Sequence, residues 1–150
     1  MMGKESIKIP EILLNWTDWV SWKDIEIDEK SGGVKIDSDP GVYEVKIKDS
    51  IGSLTIGKTA DLNKRVRRGL VQSKLPHSSG KNIHDGIKRG KIDSSKIIVR
   101  WAKTSRPAAA EEALHDAYFK KFRDVEGVEG ELKYGKLPNY IKNNKINKKY

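Results

Sequence analysis

Residues 41–59, GVYEVKIKDSIGSLTIGKT, decide the fold. Val42, Val45 and Ile47 recur among polar neighbours with the β-branched character of a half-buried strand. Asp49-Ser50-Ile51-Gly52-Ser53 is turn material, and SLTIGKT (53–59) is a second β-type run, so the stretch predicts an antiparallel hairpin. Behind it, ADLNKRVRRGLV (60–71) places Leu62, Val66, Gly69 and Leu70 on one stripe of an α-helix, with Asp61 as its N-cap. On that α-helical wheel Arg65 lies at the edge of the apolar stripe, free to face inward, while Lys64 and Arg67 point to solvent.

Farther on, QSKLPHSSGK (72–81) reads as a loop, NIHDGIKRG (82–90) as a short helix and KIIVRWAKT (96–104) as a third strand. Pro107 opens the helix PAAAEEALHDAYFKKF, whose face of Leu114, Tyr118 and Phe122 also carries Glu111. A carboxylate on a buried stripe needs a reason. The resulting order, β-β-α-(α)-β-α, predicts a small α/β domain with a central three-stranded antiparallel or mixed sheet flanked by helices. The domain proper is expected over 40–141, after an N-terminal extension (1–39) that packs on it and before a basic, frayed tail (142–150). In the extension Trp16, Trp19 and Trp22 recur three apart, along one side of a helical or turn segment; they read as core rather than as stacking platforms for bases.

The chain's 150 residues suit one domain with a sizeable core. It has no cysteine, which removes disulfides, thiolate nucleophiles and Cys-based metal sites. It also lacks an apolar run of membrane-spanning length or a secretory h-region, so a soluble, cytoplasmic protein without membrane contact is expected. The net charge of +9 is unevenly spread: residues 51–105 carry 13 basic and 3 acidic side chains, whereas residues 1–50 carry 7 and 11. The basic middle segment repels itself unless a polyanion neutralises it, which makes Lys58, Lys64, Arg67, Arg68, Lys74, Lys81, Lys88 and Arg89 candidate nucleic-acid contacts.

GSLTIGKT (52–59) matches the phosphate-loop pattern GxxxxGK[ST], but Leu54-Thr55-Ile56 is better spent as strand, and no apolar strand ending in Asp follows to hold magnesium. Nucleotide hydrolysis is set aside on those grounds. The same residues carry another likeness. Gly41-Val42-Tyr43, followed twelve residues on by Thr55-Ile56-Gly57 and then by the Arg65 helix and the Glu111-Glu112 helix, resembles the GIY-YIG nuclease family. The likeness extends to LPNY (137–140), which is similar to a closing Pro-x-Tyr-Asn element of some members. Two positions depart from the family pattern: Thr55 stands where the second tyrosine is usual, and Ile141 follows Tyr140, leaving Asn139 displaced.

The resemblance implies a metal-dependent endonuclease acting on double-stranded DNA, in a restriction or a repair and recombination role. Cutting both strands with one such site would take a homodimer or two successive events. Phosphodiester hydrolysis needs a base, positive charge on the non-bridging oxygens and a Lewis acid for the leaving oxygen. Tyr43 is the expected base, Arg65 the phosphate clamp and Glu111, with Glu112 as second choice, the anchor of one Mg2+ or Mn2+ ion. Thr55 or Lys58 would stand in for the second tyrosine, and His77 would assist proton transfer. His84 and His115, without ligand partners one turn away, read as structural. The rival function is a nucleic-acid-binding module that keeps the basic surface without cutting.

Overall fold

A computed structural model describes residue 6 and residues 11–122. The chain forms a small α/β domain around a four-stranded antiparallel sheet. The strands are β1 (Val20–Ser21), β2 (Gly41–Ile47), β3 (Ser53–Thr59) and β4 (Ile97–Lys103), in the order β1-β4-β2-β3. The hairpin, the third strand and the final helix lie where the residue pattern predicts them. The sheet differs from the expected three strands because Val20 and Ser21 pair with Val99 and Ile98. Two residues are too few to show an alternation, so β1 is invisible to periodicity.

Register fixes the two faces of the sheet. Tyr43 lies opposite Gly57 on one side and Trp101 on the other, so these three share a face with Val45 and Val99. That face is buried under Leu62, Val66, Leu70 and Ile83 and, from the N-terminal segment, Trp22 and Ile25 of α1 (Trp22–Glu26). Of the three early tryptophans only Trp22 is in this helix and fully buried; Trp16 and Trp19 flank the guanidinium of Arg100 at 4.3 and 4.6 Å. Arg100 in turn pairs with Glu44 at 2.6 Å. The opposite face, with Val42, Ile56 and Ala102, is covered by α3 (Pro107–Phe122) and by Ile12, Leu14 and Trp16.

α3 also bonds to the backbone of β3, the sheet's edge. Ser53 N donates to Tyr118 Oη at 2.9 Å, and His115 Nε2 lies 2.9 Å from the Ile56 carbonyl. His115 and Phe119 are buried together with Tyr118 and Phe122, so the contact stripe of α3 is broader than the Leu114, Tyr118, Phe122 face alone.

The segment after the hairpin departs from expectation in its winding. Asn63–Val71 is a π-helix, and Gln72 N bonds to Arg67 O, five residues back, at 2.8 Å. Asp61 Oδ1 accepts from Lys64 N at 3.0 Å, the cap expected of it. In an α-helix, at about 100° per residue, Arg67 would sit roughly 140° from Leu62; at roughly 80° per residue it sits about 40° away. Arg67 is therefore buried at 3% exposure, donating from Nε to Ile25 O at 3.1 Å and from Nη2 to Val34 O. It ties the π-helix to the N-terminal segment, and the reading of Arg67 as a nucleic-acid contact is overturned.

Helix α2 (Ser78–Lys88) begins four residues earlier than the sequence reading placed it. Gly80 allows that start, since a β-carbon there would come within 2.9 Å of the Leu70 carbonyl of the π-helix.

Candidate active site

Tyr43 reaches the site by lying across its neighbour strand. A β-carbon on Gly57 would stand 2.2 Å from Tyr43 Oη, so the ring crosses β3 through the space that only glycine leaves. Its hydroxyl enters a cavity of about 240 Å³ at the rim of β3. Arg65 of the π-helix lines this cavity from one layer and Glu111 of α3 from the other, with Lys58 and Thr55 of β3 between them. Three separate elements thus deliver Tyr43, Arg65 and Glu111 to one place.

Burial pushes the Tyr43 phenol above its ordinary range; Arg65 opposes that shift through its charge and hydrogen bonding, and Glu111 adds to it. The phenol is protonated at neutral pH. Arg65 Nη1 extends toward the Pro76 carbonyl at 3.5 Å, which holds the guanidinium beside the loop leading into α2. Glu111 is half-buried at the cavity, whereas Glu112 is exposed and outside it.

His77 is the N-cap of α2. Its Nδ1 accepts from Gly80 N at 3.0 Å, and its Nε2 is 2.9 Å from Tyr43 Oη. Burial, with Arg65 nearby, lowers the imidazole to about 4, so the ring is neutral at pH 7. Thr55 is buried, its Oγ1 3.3 Å from Ser79 Oγ. Ser78 and Ser79 also line the cavity and were missed in the sequence, because 72–81 read as a loop. A histidine N-cap lies outside the usual Ser, Thr, Asp and Asn set, so the start of α2 at Ser78 carries no ordinary capping signal.

The other basic candidates scatter. Lys74 and Lys81 line an adjoining groove with His77 and Ser78. Lys64 and Arg68 are exposed on the π-helix, and Lys88 and Arg89 are exposed at the far end of α2, roughly 15 Å of helix from its N-terminus. A larger cleft of about 720 Å³ lies elsewhere, between the π-helix and residues 28–30. It mixes Asp28 and Glu29 with its cations, and Asp28 is already bonded to Gln72 at 2.7 Å, so it offers no comparable set of reacting groups. The phosphate-loop pattern is excluded as a loop, since Ser53–Thr59 is strand. Two histidines are structural: His84 Nε2 meets the Val71 carbonyl at 2.9 Å, and His115 meets Ile56 O. The LPNY element and the tail from 142 lie outside the described residues.

No family model, curated protein or solved structure gives a significant match to this chain.

Proposed function

We propose that this protein is a metal-dependent DNA endonuclease of the GIY-YIG type. The observation that carries the reading is the convergence of Tyr43, Arg65 and Glu111, from β2, the π-helix and α3, on one cavity at the open rim of the sheet. Once its own proton has passed to solvent, Tyr43 Oη acts as a phenolate that takes the proton of the attacking water, and Arg65 balances both that phenolate and the charge of the non-bridging phosphate oxygens. Lys58, exposed at the cavity, and Lys74 and Lys81 in the adjoining groove supply cations for the flanking phosphates.

The donor set suits a hard divalent cation held sparingly. Glu111 is the carboxylate at the cavity, and no group of three or more His, Cys, Asp or Glu fit to hold a metal occurs among the described residues. Mg2+ or Mn2+ bound through one carboxylate, with water and phosphate oxygens completing its shell, fits that arrangement. Such an ion, when bound, supplies Lewis acidity for the leaving oxygen.

Plasmid nicking with Mg2+ or Mn2+ tests the reading. Cleavage is expected for the native chain, and Tyr43→Phe should slow it about 100- to 10,000-fold while DNA affinity holds. Thr55, whose hydroxyl is turned toward Ser79, favours a second reading in which the chain binds nucleic acid without cutting it. DNA binding with no metal-dependent nicking would establish that alternative.

A further inference from the structure

The imidazole of His77 has two ring nitrogens and two partners. Nδ1 is 3.0 Å from the backbone amide of Gly80, a group that can only donate, so Nδ1 accepts and carries no proton. The proton of the neutral ring is then on Nε2, whose partner is Tyr43 Oη at 2.9 Å. With one hydrogen bond arriving from Nε2, the phenolic oxygen must aim its own proton elsewhere, and the space before it is the cavity shared with Arg65 and Glu111.

We propose that His77 is a positioning residue: the N-cap of α2 fixes its tautomer so that Nε2–H permanently donates to Tyr43 Oη, turning the phenolic proton into the cavity and stabilising the phenolate. This deepens the nuclease reading and rests on it for its catalytic meaning. The hydrogen-bond polarity itself does not depend on that reading. It also reverses the expectation that His77 moves protons, because a ring whose second nitrogen is tied to a backbone amide has no free acceptor. The neutral state of the imidazole at pH 7 agrees with this arrangement. The charged groups facing Tyr43 from the surrounding elements are Arg65 on the π-helix and Glu111 on α3, with Lys58 on β3 lining the same cavity.

Two substitutions separate the roles of the two nitrogens. In His77→Asn the amide oxygen occupies the place of Nδ1 and keeps the cap, but nothing reaches Tyr43. In His77→Gln the amide nitrogen occupies the place of Nε2 and keeps the donor, while the cap is lost. The probe is Tyr43 itself, in metal-free protein labelled uniformly with 3-fluorotyrosine, followed by 19F NMR against pH and assigned with Tyr43→Phe.

His77→Asn is expected to raise the Tyr43 midpoint by about one pH unit or more, the scale of a lost hydrogen bond to a charged group, with little change in melting temperature. His77→Gln should hold the midpoint near that of the native chain while lowering the melting temperature. An unmoved midpoint in His77→Asn, or equal shifts in both variants, would overturn the proposal. Because the titration requires no cleavage, an inactive chain with the expected midpoints would sink the nuclease reading alone.

Discussion

At the residue scale the site depends on which of two adjacent carboxylates faces it. Successive helical positions are about 100° apart, and Glu111, not Glu112, is the one lining the Tyr43 cavity. Glu111→Gln keeps the shape and removes the charge a hard cation requires, so metal-dependent cleavage should be lost while DNA binding persists. Glu112→Gln should cost under about tenfold, the scale of a surface or helix-dipole interaction. Parallel nicking and gel-shift assays on the two variants check both, and the reverse order would refute the assignment of Glu111. The glutamate was readable in the sequence because a carboxylate interrupted the Leu114, Tyr118, Phe122 stripe. The part of Gly57 was not, since the ring that needs its empty space belongs to the neighbouring strand and the need appears only once the register pairs Tyr43 with it.

At the scale of elements the π-helix redistributes the basic surface. Arg67 holds two backbone carbonyls of the N-terminal segment, so Arg67→Ala leaves buried acceptors without donors and should destabilise the fold by about 2–4 kcal/mol. Arg68, one residue on and exposed, should instead behave as a phosphate contact. Arg68→Ala is expected to leave urea stability nearly unchanged and to reduce the slope of log affinity against log salt by about one unit. Urea titrations and salt-dependent binding on the pair decide it: a flattened slope in a fully stable Arg67→Ala protein would contradict the buried position. The winding of this helix is not legible in the sequence. The spacing of Leu62, Val66 and Leu70 fits α and π winding alike, and the period assumed for the apolar positions was carried over to the arginine between them. The hairpin, with its strand alternation and its turn, left no such ambiguity.

At the scale of the whole molecule residues 11–39 are part of the domain rather than an accessory to it. Trp22, Ile25 and Ile36 belong to the main core, and β1 completes the sheet beside β4. A chain beginning at Pro40 should therefore fail to give a cooperative thermal transition by circular dichroism, whereas the intact chain gives one. Acid should weaken the intact fold through His77. An unfolded imidazole titrates near 6.5 and the folded one at about 4, so between those values the unfolded chain binds a proton that the folded chain does not. This contribution is complete above about pH 6.5 and is lost as the pH falls toward 4. Melting temperatures over that range should fall more steeply for the native chain than for His77→Asn, and parallel curves would exclude His77 as a source of the acid response. The two hydrogen bonds from α3 to the rim of β3 have a consequence for assembly. Exposed strand borders are templates on which another chain can polymerise, and here one border is only two residues long while groups on the other are already occupied by Tyr118 and His115. Sheet-to-sheet fusion of two copies is thereby discouraged, so a pair of molecules meeting across a duplex would have to join through their helical surfaces, and crowded molecules are denied a ready seed for fibrils.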